Sequence, residues 1–237
     1  MSKWIRLSLI ILAAWASVSA QESQEKVSRA KMIISEDSWD FGFIPSHSFV
    51  SHTYRIRNIG KDYLVIERVR LTCGCTTAPL NKDKLAPGES TDLLVTFNSG
   101  KYVGPVRKGL YIVSNDSSYP GRSIDFSAVV AGKNPIATVT PEAIEFDSIQ
   151  ASGNEKKHIK LDNFSGSELK VSLIENPQDY LMISIKRNRL EPGGSTQVEV
   201  KLRDNLEPGL LKTSFTLQLE SGQKLRVTIP VKAFIKG

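Results

Sequence analysis

Residues 84–95 read KLAPGESTDLLV, and residues 189–200 read RLEPGGSTQVEV. The two stretches lie 105 residues apart and align without a gap. In each, a leucine stands two residues before Pro-Gly, and Ser-Thr then leads into a run that alternates apolar and polar side chains. Leu85 or Leu190 can drop into a core while proline fixes one turn dihedral and glycine accepts a positive one, so that the chain reverses into a strand. This is a signal of backbone geometry rather than of chemistry.

The offset holds well beyond these twelve positions. Asp40-Phe41 with Ile44 falls on Glu145-Phe146 with Ile149, Asn58 on Asn163, Leu64 on Leu169, Gly104 on Gly209, Ile124 on Ile229 and Ala128 on Ala233. A fixed internal period marks a repeated structural unit. The junction between the copies, AGKNP at residues 131–135, is short and rich in turn formers, so the copies should meet at a restricted angle rather than swing freely.

Within each copy the apolar residues alternate. Tyr54 and Ile56 share one parity, with Thr53, Arg55 and Arg57 on the other, and Ile159 and Leu161 alternate with His158, Lys160 and Asp162 in the same phase. Period two with one polar face is the pattern of an antiparallel sheet. Residues 92–97, 108–114, 123–130, 197–202, 214–219 and 225–234 are further candidate strands, separated by Gly, Pro, Asn and Asp turns, and no stretch shows a sustained helical stripe. An all-β chain of two tandem sandwiches is expected.

The first residues have a separate role. Lys3 and Arg6 precede an apolar stretch from Leu7 to Val18, and Val18-Ser19-Ala20 places small residues where a signal peptidase cuts. About 12 apolar residues fall short of the roughly 20 needed to span a bilayer. Residues 1–20 are therefore expected to be a cleaved signal peptide, residues 21–31 a flexible leader, residues 32–132 the first sandwich and residues 136–237 the second. The exported chain would be periplasmic, secreted or displayed at the cell surface, with no transmembrane segment.

Without Lys3 and Arg6, 29 basic residues face 25 acidic ones, an excess of +4 spread along the chain. No basic stripe interleaved with aromatics appears, which argues against nucleic acid as a partner. No G-x-S-x-G elbow, H-E-x-x-H pair, phosphate-cradling loop or Asp-rich calcium loop occurs either. The chain thus offers no catalytic constellation and calls for no cofactor.

Both cysteines lie in one stretch, TCGCTTAP at residues 72–79. Together with Trp39-Asp40-Phe41-Gly42, Leu85-Ala86-Pro87-Gly88, Phe97-Asn98-Ser99 and Val113-Ser114-Asn115, this stretch resembles the bacterial DUF1573 family. That resemblance implies an exported protein of unassigned biochemical function, with immunoglobulin-like domains akin to the major sperm protein and the ASH-type domains. The second copy departs from the pattern, because Gln178-Asp179-Tyr180-Leu181 replace Cys73-Gly74-Cys75-Thr76. A thiol-dependent activity would have to reside in the first copy.

Three readings of Cys73 and Cys75 stand side by side. They are buried packing groups sharing a parity with Val69 and Leu71. Or they form a local disulfide, in which case Gly74 kinks the chain to shorten the roughly 6.6 Å between alternate residues of a strand. Or their thiolates bind a soft ion such as copper(I), with His52 as a candidate third ligand, although a lone histidine of its inward parity is more often a hydrogen-bonded neighbour than a ligand. The leading functional expectation is a non-catalytic exported interaction or scaffold protein that contacts an unidentified protein partner in the cell envelope. The alternative is redox exchange or copper handling centred on Cys73, Cys75 and His52.

Overall fold

The computed structural model describes residues 28–150 and 155–237. The expected signal peptide at residues 1–20 and the leader as far as residue 27 lie outside the described residues. The end of that leader is not loose. The main-chain N–H and the guanidinium of Arg29 both bond Asp62, Ala30 is buried, and the carbonyls of Arg29 and Lys31 accept bonds from Lys61 and Ile59.

The first unit consists of β1 (Met32–Ile34), β2 (Ser38–Ile44), β3 (Phe49–Asn58), β4 (Leu64–Leu71), β5 (Thr76–Thr77), β6 (Lys84–Leu85), β7 (Ser90–Asn98), β8 (Gly104–Ser114) and β9 (Gly121–Val130). The second consists of β10 (Ala137–Thr140), β11 (Ile144–Gln150), β12 (Lys156–Asn163), β13 (Leu169–Glu175), β14 (Leu181–Ile185), β15 (Arg189–Leu190), β16 (Ser195–Leu202), β17 (Gly209–Ser221) and β18 (Gln223–Lys236). Each unit has a four-stranded sheet, ordered β1-β3-β7-β5 in one and β10-β12-β16-β14 in the other. Facing these are β6-β4-β8-β9-β2 and β15-β13-β17-β18-β11, wired alike. The chain is all-β, a pair of immunoglobulin-like sandwiches in tandem.

Alternation decides what each core contains. His52, Tyr54, Ile56 and Asn58 of β3 point inward, against Leu93, Val95 and Phe97 of β7, and Ile159, Leu161 and Asn163 of β12 meet Val198, Val200 and Leu202 of β16 in the same way. The repeated turn behaves as its sequence implies: Leu85 and Leu190 are buried, and Gly88 and Gly193 have φ of 83° and 73°. Burying one leucine side chain contributes about 1.5–3 kcal/mol. A polar plug sits above each leucine. The Asn58 amide nitrogen donates to the carbonyls of Leu85 (3.0 Å) and Asp62 (2.9 Å), and that of Asn163 donates to those of Leu190 (2.9 Å) and Ser167 (3.0 Å).

The two sandwiches share a sheet. Val227 near the start of β18 pairs with Phe43 of β2, while Val231 to Lys236 pair with β11 of their own unit. Pro230 lies between the two pairings, where a residue without an N–H leaves no donor unmet. Further bonds cross the junction: Thr228 donates to the Phe41 carbonyl, Arg226 to that of Asp40 (3.1 Å), and the Ser51 N–H to the Ser214 hydroxyl (2.9 Å). The buried residues form two cores, one drawn from residues 30–130 and the other from residues 136–235, and Ile174 of the second unit packs against the first.

Candidate functional site

The cysteine turn is built by the end of β4. After Leu71 the chain leaves the sheet, and Thr72 clips it to β8, its hydroxyl donating to the Gly109 carbonyl (2.8 Å) and accepting from the Gly109 N–H (3.2 Å). Residues 73–75 then turn into β5, where Asn98 N–H bonds the Cys75 carbonyl (2.8 Å). In the turn the two cysteine Cα atoms are 5.3 Å apart, and the sulfurs are bridged. The turn itself brings them within bridging range. Gly74 does not do so by an unusual dihedral: it is not in the left-handed region, and a Cβ on it would meet open space.

The bridge lies half-buried against the rim of the first core. Thr76 donates its hydroxyl to Cys73 Sγ (3.5 Å), and the Tyr102 hydroxyl lies 3.8 Å from Cys75 Sγ. Lys108 Nζ sits 4.6 Å above the Tyr102 ring. Leu71, Tyr102 and Val103 are exposed around the turn, Val103 by 76%.

His52 belongs to a different site. Its ring stacks on Trp39 with centroids 3.8 Å apart and meets the edge of Tyr54 at 4.6 Å. Nε2 is 3.0 Å from a Glu36 oxygen. Nδ1 is 3.2 Å from a Glu175 oxygen, within ion-pairing distance though not aligned for a hydrogen bond. Arg226 covers the Trp39 indole at 4.5 Å. Glu175 and Arg226 come from the second unit, so this buried histidine is part of the junction. Burial, helped by Glu36, Asp125 and Glu175, pushes the Tyr54 phenol well above its ordinary pKa, and its hydroxyl donates to the Asp125 carbonyl (2.8 Å).

The alternative in which His52 joins Cys73 and Cys75 is thereby corrected: His52 is the inward, hydrogen-bonded residue instead. Among the described residues no group of three or more His, Cys, Asp or Glu is placed to hold a metal ion, and the sulfurs are bonded to each other instead of being free as thiolates. The arrangement lends copper handling and redox exchange no support. His158 faces outward and bonds Glu199 (3.1 Å), as its parity implied. The sequence pattern does not mark Glu36, Trp39, Glu175 or Arg226 as site residues. The inward parity of His52 was the only signal, since a buried histidine needs polar partners.

Residues 32–130 match the family model described as "Protein of unknown function (DUF1573)". The first unit is a DUF1573 domain. The second unit lies outside the match, and no curated protein matches the chain. Among solved structures the chain is similar to a protein of unknown function from Porphyromonas gingivalis W83, at 15% identity over 86% of this chain and 99% of that one, with a TM-score of 0.36. It is also similar to the E. coli chaperone DraB, at 10% identity over 87% and 97% with a TM-score of 0.35. An ASH/PapD-like domain of human CEP192 covers 45% of the chain at 12% identity and a TM-score of 0.33, with 92% of that domain aligned. At such scores no function carries across.

Within the DUF1573 domain the bridged turn is the feature that sets it apart from its neighbour. Position by position, Asn176, Glu207 and Pro208 of the second unit stand where the domain has Leu71, Tyr102 and Val103. Among the described residues no helix is long and apolar enough to cross a membrane.

Proposed function

We propose that the chain is an exported, non-catalytic interaction protein of the cell envelope, which presents the disulfide-pinned turn of its DUF1573 domain to a partner protein. The observation that carries this reading is the exposed apolar group beside the bridge, Leu71, Tyr102 and Val103, with Lys108 over the tyrosine. Clustered apolar exposure marks contact surfaces. A loop already held in one shape also loses less conformational freedom on binding. The amino-terminal segment favours export, and a disulfide persists in an oxidising compartment.

A photo-crosslinking residue at Val103, introduced in the native host, tests this directly. One discrete protein adduct is expected, lost when Cys73→Ser and Cys75→Ser are combined. An adduct pattern identical to that from a probe at the remote, exposed Arg55 would reject the surface, and recovery of the protein from the cytoplasmic fraction would reject the envelope placement.

A further inference from the structure

The end strand β14 differs in kind from its counterpart in the DUF1573 domain. At the same offset, Leu181-Met182-Ile183-Ser184-Ile185 replaces Thr76-Thr77-Ala78-Pro79-Leu80. In the first unit only Thr76–Thr77 form a strand there, and Pro79 follows. In the second, five residues without charge, proline or glycine form an unbroken strand at the end of β10-β12-β16-β14. Natural edges are normally kept short or broken with proline or charge, since an open edge pairs with other chains.

Two hydrogen bonds fix which groups on β14 are free. Arg203 N–H bonds the Tyr180 carbonyl (2.8 Å), and Lys186 N–H bonds the Gln197 carbonyl (3.0 Å). In an antiparallel ladder the paired groups alternate, so residues 180, 182, 184 and 186 address β16. Leu181, Ile183 and Ile185 therefore aim their N–H and C=O outward, away from the sheet. The Leu181 N–H is used by the Pro177 carbonyl (3.0 Å). Among the described residues, that leaves the Ile183 and Ile185 groups and the Leu181 carbonyl without a strand to pair with.

We infer that β14 is the seam of a homodimer, pairing antiparallel with β14 of a second copy about a twofold axis at Ile183. In that register Ile183 exchanges two hydrogen bonds with its own counterpart, and each Ile185 N–H reaches the partner copy's Leu181 carbonyl. Charge selects this register over its neighbours. It brings Asp179, in the turn that leads into β14, alongside Arg187, just past the strand's end, and sets Tyr180 opposite Lys186. Moving the axis to Met182 sets Asp179 against Ile185, and moving it to Ser184 sets Arg187 against Leu181. Asp179 is exposed and has no ion-pair partner among the described residues, while the Arg187 side chain bonds only the Ser195 carbonyl (2.8 Å). Ile183 and Ile185, half-buried at the rim of the second core, would be covered. The seam is short, at the small end of specific interfaces below about 1,200 Å², so association is expected to be weak and concentration-dependent. It uses a face other than the bridged turn, and either can fail without the other.

Sedimentation equilibrium of the purified protein over a concentration series, with three variants, tests the seam. The wild type should pass from monomer to dimer. Asp179→Arg should weaken the dimer about tenfold, through two like-charge pairs, and Asp179→Arg with Arg187→Asp should restore it. Ile183→Cys should lock the dimer under oxidation, since directly opposed hydrogen-bonded residues have Cα atoms about 5.5 Å apart. A chain that stays monomeric throughout would overturn the inference. So would a dimer that charge reversal leaves unchanged, which would mean pairing through another face.

Discussion

A Cβ on Gly42 would lie 2.0 Å from the carbonyl oxygen of Arg226, in the other unit. Gly42 has φ of 67° and sits in a bulge of β2, between the residues that pair with Ser127 and Val129 of β9. The second unit carries a matching bulge near Asp147 of β11, without a glycine there. Glycine is thus required here twice over, by the positive φ of this bulge, which the second unit's bulge does not share, and by the strand of the other unit that comes against it.

Gly42→Ala is accordingly expected to open the junction while leaving both cores folded. The strained φ alone costs more than about 1 kcal/mol, and the clash adds to it. Hydrogen exchange should show lost protection at Phe43 and Val227, with protection retained at Tyr54 and Leu161. Uniform loss across both units would show instead that the substitution unfolds the whole chain.

His52→Ala should destabilise the protein by about 1–3 kcal/mol, because it removes the bond to Glu36 and the stack on Trp39 and leaves a void where the buried ring stood. Denaturant unfolding of His52→Ala, Glu175→Gln and the double variant would measure the coupling, expected at about 0.5 kcal/mol or more for residues in one network. Additive effects would mean that Glu175 is a bystander and that the junction does not run through the histidine.

Tyr54 gives a pH signature. Its phenol is raised above the ordinary value of 10.0, so the folded state holds that proton more tightly than the unfolded one. The stabilisation is complete below that ordinary value and is lost as pH rises through the folded one, giving a decline in stability at alkaline pH. Tyr54→Phe should flatten this part of the profile, at the cost of the bond to the Asp125 carbonyl. Equal slopes in the two proteins would refute the assignment.

The alternation of β3 and β12, the repeated Leu-x-Pro-Gly turn and the offset between the halves were enough to foretell the sandwiches, because period and turn chemistry are local properties. The junction was not legible, since the pairing of Val227 with Phe43 depends on where two distant strands arrive. Asn58 and Asn163 were visible as a repeated pair, but their role as plugs over Leu85 and Leu190 needed the tertiary contacts. At the cysteines, spacing left three readings open because the distance between alternate residues depends on whether they lie in a strand or in a turn. His52 was legible as an inward-facing, hydrogen-bonded histidine, but its partners were not, because parity fixes the face a side chain occupies, not what lies across the core.

Replacing Cys73 and Cys75 with serine should cost little stability, less than about 2 kcal/mol, since so small a ring removes little freedom from the unfolded chain. Thermal unfolding with and without reductant should therefore nearly coincide. A large drop would mean that the bridge holds the first sandwich together rather than shaping one turn.

The claim on which the rest depends is that the two sandwiches form one body. Spin labels at Lys61→Cys in the first unit and Gln223→Cys in the second, read by pulsed dipolar spectroscopy, test it most directly. A single narrow distance distribution that broadens on Gly42→Ala is the predicted result. A broad distribution in the otherwise unaltered protein would contradict it.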